Sequence, residues 1–223
     1  MAEVRQLFEV NLFAVMRMCQ EFIPLLIAAQ GTIVQLGSLA GIMPYVFGSA
    51  YNASKAALHS YSNTLRVELE PFGVKVLTLI TGGVKSQIAR VERELPPTSL
   101  YNPIAASYAR RVTHSQEGAM PSSAYARSVV GQILGATSPG WLASVPGLGR
   151  LGAALRRCWI FGEKGRGWIW EGKMSGLVWF VDTWLPRGTM DIVFNRMFQL
   201  SRLRGTATAS PGPSSSAGAK KTV

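Results

Sequence analysis

This sequence predicts an α/β fold on a parallel sheet, and three observations carry the prediction. Thr32–Leu36 reads as a short buried strand, residues 74–80 read as a second, and a helical pattern fills 50–71 between them. Strand, long helix, strand is the βαβ unit, whose crossover makes the two strands parallel and lays helices over the sheet. The composition agrees: of 223 residues, 48% are apolar and 16% charged, which provides a sizeable core and excludes a wholly disordered chain.

The elements follow in order. Between residues 3 and 29, Val4, Leu7, Phe8, Leu12, Val15 and Cys19 form the stripe of an amphipathic helix, which Pro24 is expected to kink or interrupt. Gly31 introduces the first strand and Gly37-Ser38 closes it. Pro71-Phe72-Gly73 stops the second helix. From Thr81 to Met120 the pattern dissolves into a long loop of the kind that carries function. Pro121-Ser122 is expected to cap a further helix reaching about Ala136. The expected organisation is therefore a core unit over 1–138, an irregular Gly/Arg-rich insert over 139–167, a basic aromatic segment over 168–204 and a disordered Ser/Ala/Gly/Pro tail over 205–223.

Composition narrows the function classes. The only cysteines, Cys19 and Cys158, exclude a disulfide framework and a multi-cysteine metal site and suit a reducing compartment, while His59 and His114 are too few and too isolated to argue for a metal. No run of 18 apolar residues occurs, so no conventional membrane-spanning helix is expected, and residues 1–10 lack a signal-peptide pattern. The net charge of +11 is concentrated late: residues 139–223 hold 12 Lys/Arg against 4 Asp/Glu, and all six tryptophans. With no recognition motif and long apolar runs between the basic residues, that mixture argues for a lipid surface over a nucleic acid. A helical cap on the core, or a dimer interface, would use the same residues.

Tyr51-Asn52-Ala53-Ser54-Lys55 puts a phenol and an ammonium four residues apart, on one face of the second helix. A nearby cation favours the phenolate and makes the tyrosine a usable proton donor near neutrality. By itself the spacing is a weak signal, since a surface pair gives it too. Ser38, however, stands thirteen residues earlier at the C-terminal end of the first strand, where a parallel sheet presents reactive groups, and Asn11 lies on the preceding helix.

Asn11, Ser38, Tyr51 and Lys55, in this order and on these elements, resemble the active-site tetrad of the short-chain dehydrogenase/reductase family over residues 1–138. Thr81-Gly82-Gly83-Val84-Lys85-Ser86, in place of the family's usual Pro-Gly turn, together with 95–101, Met120-Pro121 and 47–57, resembles the fungal branch of NADPH-dependent 1-acyldihydroxyacetone phosphate reductases. The resemblance implies the C-terminal part of a Rossmann-like doubly wound parallel sheet and a ketone reductase using NADPH. Tyr51 would donate the proton, Ser38 hold the carbonyl oxygen, Lys55 acidify Tyr51 and bind the cofactor ribose, and Asn11 anchor a proton-relaying water. Gly82, Val84 and Ser86 would contact the cofactor, while Lys85, Arg90 and Arg93 are candidates for a substrate phosphate, or else solvated charges.

The resemblance also implies a glycine-rich pyrophosphate turn ahead of Asn11, and none precedes it in this sequence. On that ground the chain is expected to bind NADPH poorly. Gly147-Leu148-Gly149-Arg150-Leu151-Gly152 has the right spelling but follows the tetrad, behind Pro146 and no convincing strand, and is read as a decoy. The segment 139–167 is expected to be a variant loop or an artefact of the gene model. Two functions remain open: a lipid-ketone reductase on the cytosolic face of the endoplasmic reticulum membrane or a lipid droplet, compatible with a homo-oligomer, and a non-catalytic lipid-associated remnant.

Overall fold

The structure, a computed structural model, describes residues 1–87, 94–135, 167–186 and 188–204. The chain opens with a long helical run: α1 (Ala2–Phe8), one π-helical turn (Glu9–Phe13) and α2 (Ala14–Ala29). Its apolar stripe faces the core as predicted, with Leu12 and Cys19 buried and Val15, Ile23, Leu26 and Ile27 packed beside them. The helix does not break at Pro24, which lies inside α2; the irregular turn comes at Asn11 instead. Pro24 removes a single backbone donor near the C-terminal end of the helix, where core contacts of its neighbours hold the backbone. Gln30 then takes the left-handed conformation (φ 48°), and Gly31 N–H returns to Leu26 O, a common helix stop.

By length and composition the run Ala2–Ala29 is sufficient to cross a membrane, contrary to the sequence expectation. Its inner face packs on the core and its outer face shows Val10, Phe13, Met18, Phe22 and Leu25.

β1 (Thr32–Leu36), α3 (Ser49–Leu69) and β2 (Lys75–Thr81) form the predicted parallel βαβ unit, with Ile33 beside Val76 and Gln35 beside Thr78. A 3-10 turn, Glu70–Phe72, closes α3, and Gly73 supplies the left-handed residue (φ 75°) that turns the chain into β2. A third parallel strand, β3 (Trp168–Glu171), pairs with the other side of β2, giving the order β1-β2-β3. The segment 168–204 thus opens inside the sheet. Its first four residues are half-buried or buried strand, not interfacial sequence.

The stretch 81–120, expected as a loop, contains α4 (Ala105–His114) behind a 3-10 turn at Asn102–Ile104. α5 (Ser122–Ile133) follows, but Ser122 lies within it, and Pro121 at its start makes no side-chain cap. The C-terminal part holds α6 (Ser175–Trp184), α7 (Gly188–Met197) and a 3-10 turn at Leu200–Leu203. The sequence features at 139–166 and 205–223, including Cys158 and the 147–152 glycine pattern, lie outside the described residues.

The core has two parts. Cys19, Ile33, Leu65, Leu69, Val74 and Val76 join α2, α3 and the sheet. Leu39, Ile80 and Val178, flanked by Ile42, Met43, Trp168, Trp170 and Met190, join the sheet to α6 and α7. Each such side chain removed from water stabilises the fold by about 1.5–3 kcal/mol before the entropy of ordering is subtracted. Buried Gln35 is satisfied by donating from Nε2 to Cys19 Sγ at 3.1 Å. On the opposite face of β1, Val34 and Leu36 are 40% and 58% exposed. Because all three strands are parallel, their ends at Leu36, Thr81 and Glu171 share one rim, where a parallel sheet offers its binding surface.

Candidate active site

At the end of β1, Gly37 has no room for a side chain: a Cβ would lie 2.5 Å from His59 Nε2 and 2.7 Å from Leu79 O. The chain then extends through Ser38, whose Oγ accepts Ala40 N–H at 3.2 Å and so opens the 3-10 turn Leu39–Gly41. Ser38 N–H donates to His59 Nε2 at 3.2 Å. That bond requires a neutral imidazole with a bare Nε2. Burial, aided by the Lys55 charge, holds His59 in that form by pushing its pKa from 6.5 down to about 4.

α3 carries the other predicted groups. Lys55 Nζ donates to Leu36 O at 2.9 Å and sits 6.0 Å from the centroid of the Tyr51 ring. Burial lowers the Lys55 pKa from its ordinary value. The Tyr51 hydroxyl has no hydrogen-bond partner among the described residues. Asn11 lies within the π-helical turn, a distortion frequent at functional sites. Its Nδ2 donates to Ser54 Oγ at 3.1 Å, and Ser54 Oγ donates to Tyr51 O at 2.8 Å. Ser54 is fully buried, so this relay clamps the first helical run to the turn of α3 that bears Tyr51.

Gly82, Val84 and Ser86 occupy the neighbouring part of the rim, past the end of β2. Gly82 N–H donates to Glu171 O at 2.8 Å, and a side chain on Gly82 would strike the Lys173 carbonyl, so the backbone crossing alone requires a glycine there. Gly83 and Lys173 exchange backbone hydrogen bonds of 3.0 and 3.1 Å. The Gln116 side chain braces the next two positions, Nε2 donating to Val84 O at 3.3 Å and Oε1 accepting Ser86 N–H at 2.9 Å. Thr81 Oγ1 and Tyr125 OH lie 2.7 Å apart. Burial raises the Tyr125 pKa, the Thr81 bond opposes that, and the Glu171 charge adds to it. The buried Glu171 carboxylate accepts from Ser128 Oγ (2.6 Å) and Gln132 Nε2 (2.7 Å).

Aromatic rings cluster where the chain enters α3. Tyr45 and Phe47, just ahead of α3, pack against Phe198 of the C-terminal part, Tyr45 also against Phe194, and Phe47 against Tyr101 and Tyr108. Arg111 of α4 donates from Nε to Val46 O at 2.8 Å and lies over the Tyr45 ring.

The structure therefore brings Asn11 to Tyr51 through Ser54, and Ser38 to α3 through His59, with Lys55 reaching the end of β1. Gly82, Val84 and Ser86 stand on the adjacent strand's rim, held by Glu171 and Gln116. Lys85 is exposed; Arg90 and Arg93 lie outside the described residues. Sequence reasoning passed over Ser54, Gln116 and Tyr125, and weighed His59 only as a metal ligand. A signal existed for two of them, since Ser54 and His59 fall one helical turn after Tyr51 and Lys55 respectively.

Comparison with known proteins adds the following. Residues 1–96 match the family model described as short chain dehydrogenase. The chain is 37% identical over 209 residues to short-chain dehydrogenase RED1 of Pyricularia oryzae, covering 92% of this chain and 64% of that protein. It is 45% identical over 141 residues to the NADPH-dependent 1-acyldihydroxyacetone phosphate reductase of Saccharomyces cerevisiae, covering 62% of this chain and 47% of that protein. A crystal structure of a short-chain dehydrogenase from Streptomyces avermitilis shares the fold, with a TM-score of 0.50 at 21% identity over 94% of this chain and 63% of that one. The chain spans roughly three fifths of the length of the first curated relatives it matches.

Proposed function

Since the chain belongs to the short-chain dehydrogenase family, we propose that the protein is a nicotinamide-dependent oxidoreductase that reduces a ketone to a secondary alcohol, with Tyr51 as the proton donor. The observation that carries this reading is the Tyr51 group itself: a hydroxyl with no hydrogen-bond partner among the described residues, an ammonium over its ring, and a buried Asn11–Ser54 clamp on its backbone.

The rim residues fit the nicotinamide side of such a cofactor. Lys55 is the cation at the end of β1, and the glycines at 82 and 83 keep the neighbouring backbone bare of side chains. When bound, the reduced nicotinamide supplies a hydride to the ketone carbon; the remaining work falls to the protein. Ser38 Oγ hydrogen-bonds the carbonyl oxygen as negative charge develops on it. Tyr51 gives that oxygen its proton, so the ketone gains one hydride and one proton and leaves as an alcohol. Lys55 stabilises the phenolate left behind, and Asn11 would anchor the water through which Tyr51 regains its proton.

For the substrate we favour an acylated dihydroxyacetone phosphate and for the cofactor NADPH. Both follow from the similarity to the yeast reductase; the other relatives cited carry no substrate in their names. A ketone bearing an acyl chain and a phosphate places the work on the cytosolic face of the endoplasmic reticulum membrane or a lipid droplet, with Lys85 a candidate for the phosphate.

The test is NADPH oxidation by the full chain presented with 1-acyldihydroxyacetone phosphate, wild type against Tyr51→Phe. Turnover should fall by about 10²- to 10⁴-fold, as loss of a general acid does, while nucleotide affinity changes little. Equal turnover in the two proteins would overturn the role of Tyr51. A wild-type chain that neither binds nor oxidises NADPH would favour the non-catalytic reading.

A further inference from the structure

We infer that the outward face of α6 and α7 is a docking surface for an anionic lipid bilayer. The inference deepens the reading above, on which it rests only for the preference for a lipid partner. On α6, Leu177, Phe180 and Trp184 recur at intervals of three and four, which makes one stripe. They are 54%, 48% and 62% exposed, whereas Ser175 and Val178, on the other side of the helix, are buried. α7 repeats the division: Phe194 is buried, and Ile192, Val193 and Arg196 point away from it, exposed. Leu185, between the helices, is exposed as well. The inner faces are already occupied, since Val178 and Met190 pack with Leu39 and Ile80, and Phe194 packs on Tyr45.

Chemistry selects the occupant. Phenylalanine, leucine and isoleucine suit the acyl boundary, and an indole such as Trp184 suits headgroup depth. Arg196, Arg202 and Arg204 are exposed and form no ion pair among the described residues. On α6 and α7 themselves the described charges are Asp182 and Asp191 against Arg196, so the cationic excess comes from Arg202 and Arg204 just beyond them and from the stretch 139–223 as a whole, with 12 Lys/Arg against 4 Asp/Glu. A net charge of +11 makes a second copy of this chain an unfavourable partner and an anionic surface a favourable one. With 10 residues each, α6 and α7 are about 15 Å long, half a hydrocarbon core, so they lie along the surface without crossing it. Each helix thus has two faces: an inner one packed on the sheet core or on Tyr45, and an outer, mostly apolar one toward lipid.

The test is flotation of the full chain with vesicles of phosphatidylcholine containing 30% phosphatidylserine, against phosphatidylcholine alone. Binding should be about tenfold stronger with the anionic lipid. Leu177→Gln/Phe180→Gln/Trp184→Gln, whose sites avoid the core face, should weaken it by about tenfold or more while the far-ultraviolet circular dichroism stays unchanged. Arg196→Gln/Arg202→Gln/Arg204→Gln should abolish the lipid preference but leave weak binding. Brominated acyl chains should quench the wild type more than Trp184→Phe. Absence of wild-type binding, or binding unaltered in the apolar triple variant, would overturn the inference. So would a dimer, seen by light scattering, that the apolar variant dissociates while no vesicles bind, because the face would then belong to a second copy. Flotation needs neither nucleotide nor turnover, so its failure is separable from failure of the reductase reading.

Discussion

His59 gives the residue scale its clearest physical test, because its single bare nitrogen holds the backbone of Ser38. An unfolded imidazole takes up a proton near pH 6.5, and the folded one only near 4. Between those values the unfolded state binds more protons, so stability must fall as pH drops from 6.5 to 4 and gain nothing from this group above 6.5. The effect reaches about 3 kcal/mol at most. His59→Leu should flatten this dependence and, by leaving Ser38 N–H buried without an acceptor, cost about 1–3 kcal/mol at pH 7. Urea unfolding at pH 7 and pH 5 measures both, and an unchanged pH slope in the variant would disprove the role. The elements that carry Asn11, Ser38, Tyr51 and Lys55 were legible because apolar periods and turn residues mark them locally. Ser54 and His59 were overlooked although each stands one helical turn after Tyr51 or Lys55, because each acts on a backbone group, Tyr51 O and Ser38 N–H, that a sequence pattern does not display.

At the scale of elements, the crossing of the β2 and β3 ends depends on Gly82, whose missing side chain leaves room for the Lys173 carbonyl. Gly82→Ala should destabilise the protein by about 1–3 kcal/mol, as overpacking of a rigid site does, and should displace Val84 and Ser86 with it. Thermal unfolding, with amide exchange read at 82–86, checks this. A neutral substitution would mean that the crossing relaxes freely. The βαβ unit was legible because period-two and period-3.6 patterns survive in 32–36, 50–71 and 74–80. α4 was not, since a helix over Ala, Ser, Arg and Thr with few apolar anchors reads like loop. β3 was not either: half-buried at each of its first three positions, Trp168-Ile169-Trp170 shows no alternation, and its tryptophans drew it into the aromatic segment that follows. Pro24 misled for the opposite reason, a strong local signal overruled by packing.

For the molecule as a whole, the described sheet has β1 at one edge, with Val34 and Leu36 open to solvent. Such an edge invites pairing with another chain. Val34→Lys, on the solvent-facing side of that strand, should change stability by less than about 1 kcal/mol in urea unfolding; a loss of several kcal/mol would mean that this face is covered. The other flank of β2 has a history in time. Thr32 pairs with Lys75, but Thr78 must wait for Trp168, ninety positions later. A ribosome adding about 5–20 residues each second leaves β2 half-paired for several seconds after it has emerged. Leu79 and Ile80, buried in the finished molecule, are uncovered for that interval, and closing so long a loop is what makes such pairing slow. The nascent protein is therefore most vulnerable to chaperone capture, misassembly and proteolysis before its last strand arrives. Any lengthening between residues 135 and 167 prolongs that interval directly, whatever it does to the folded state.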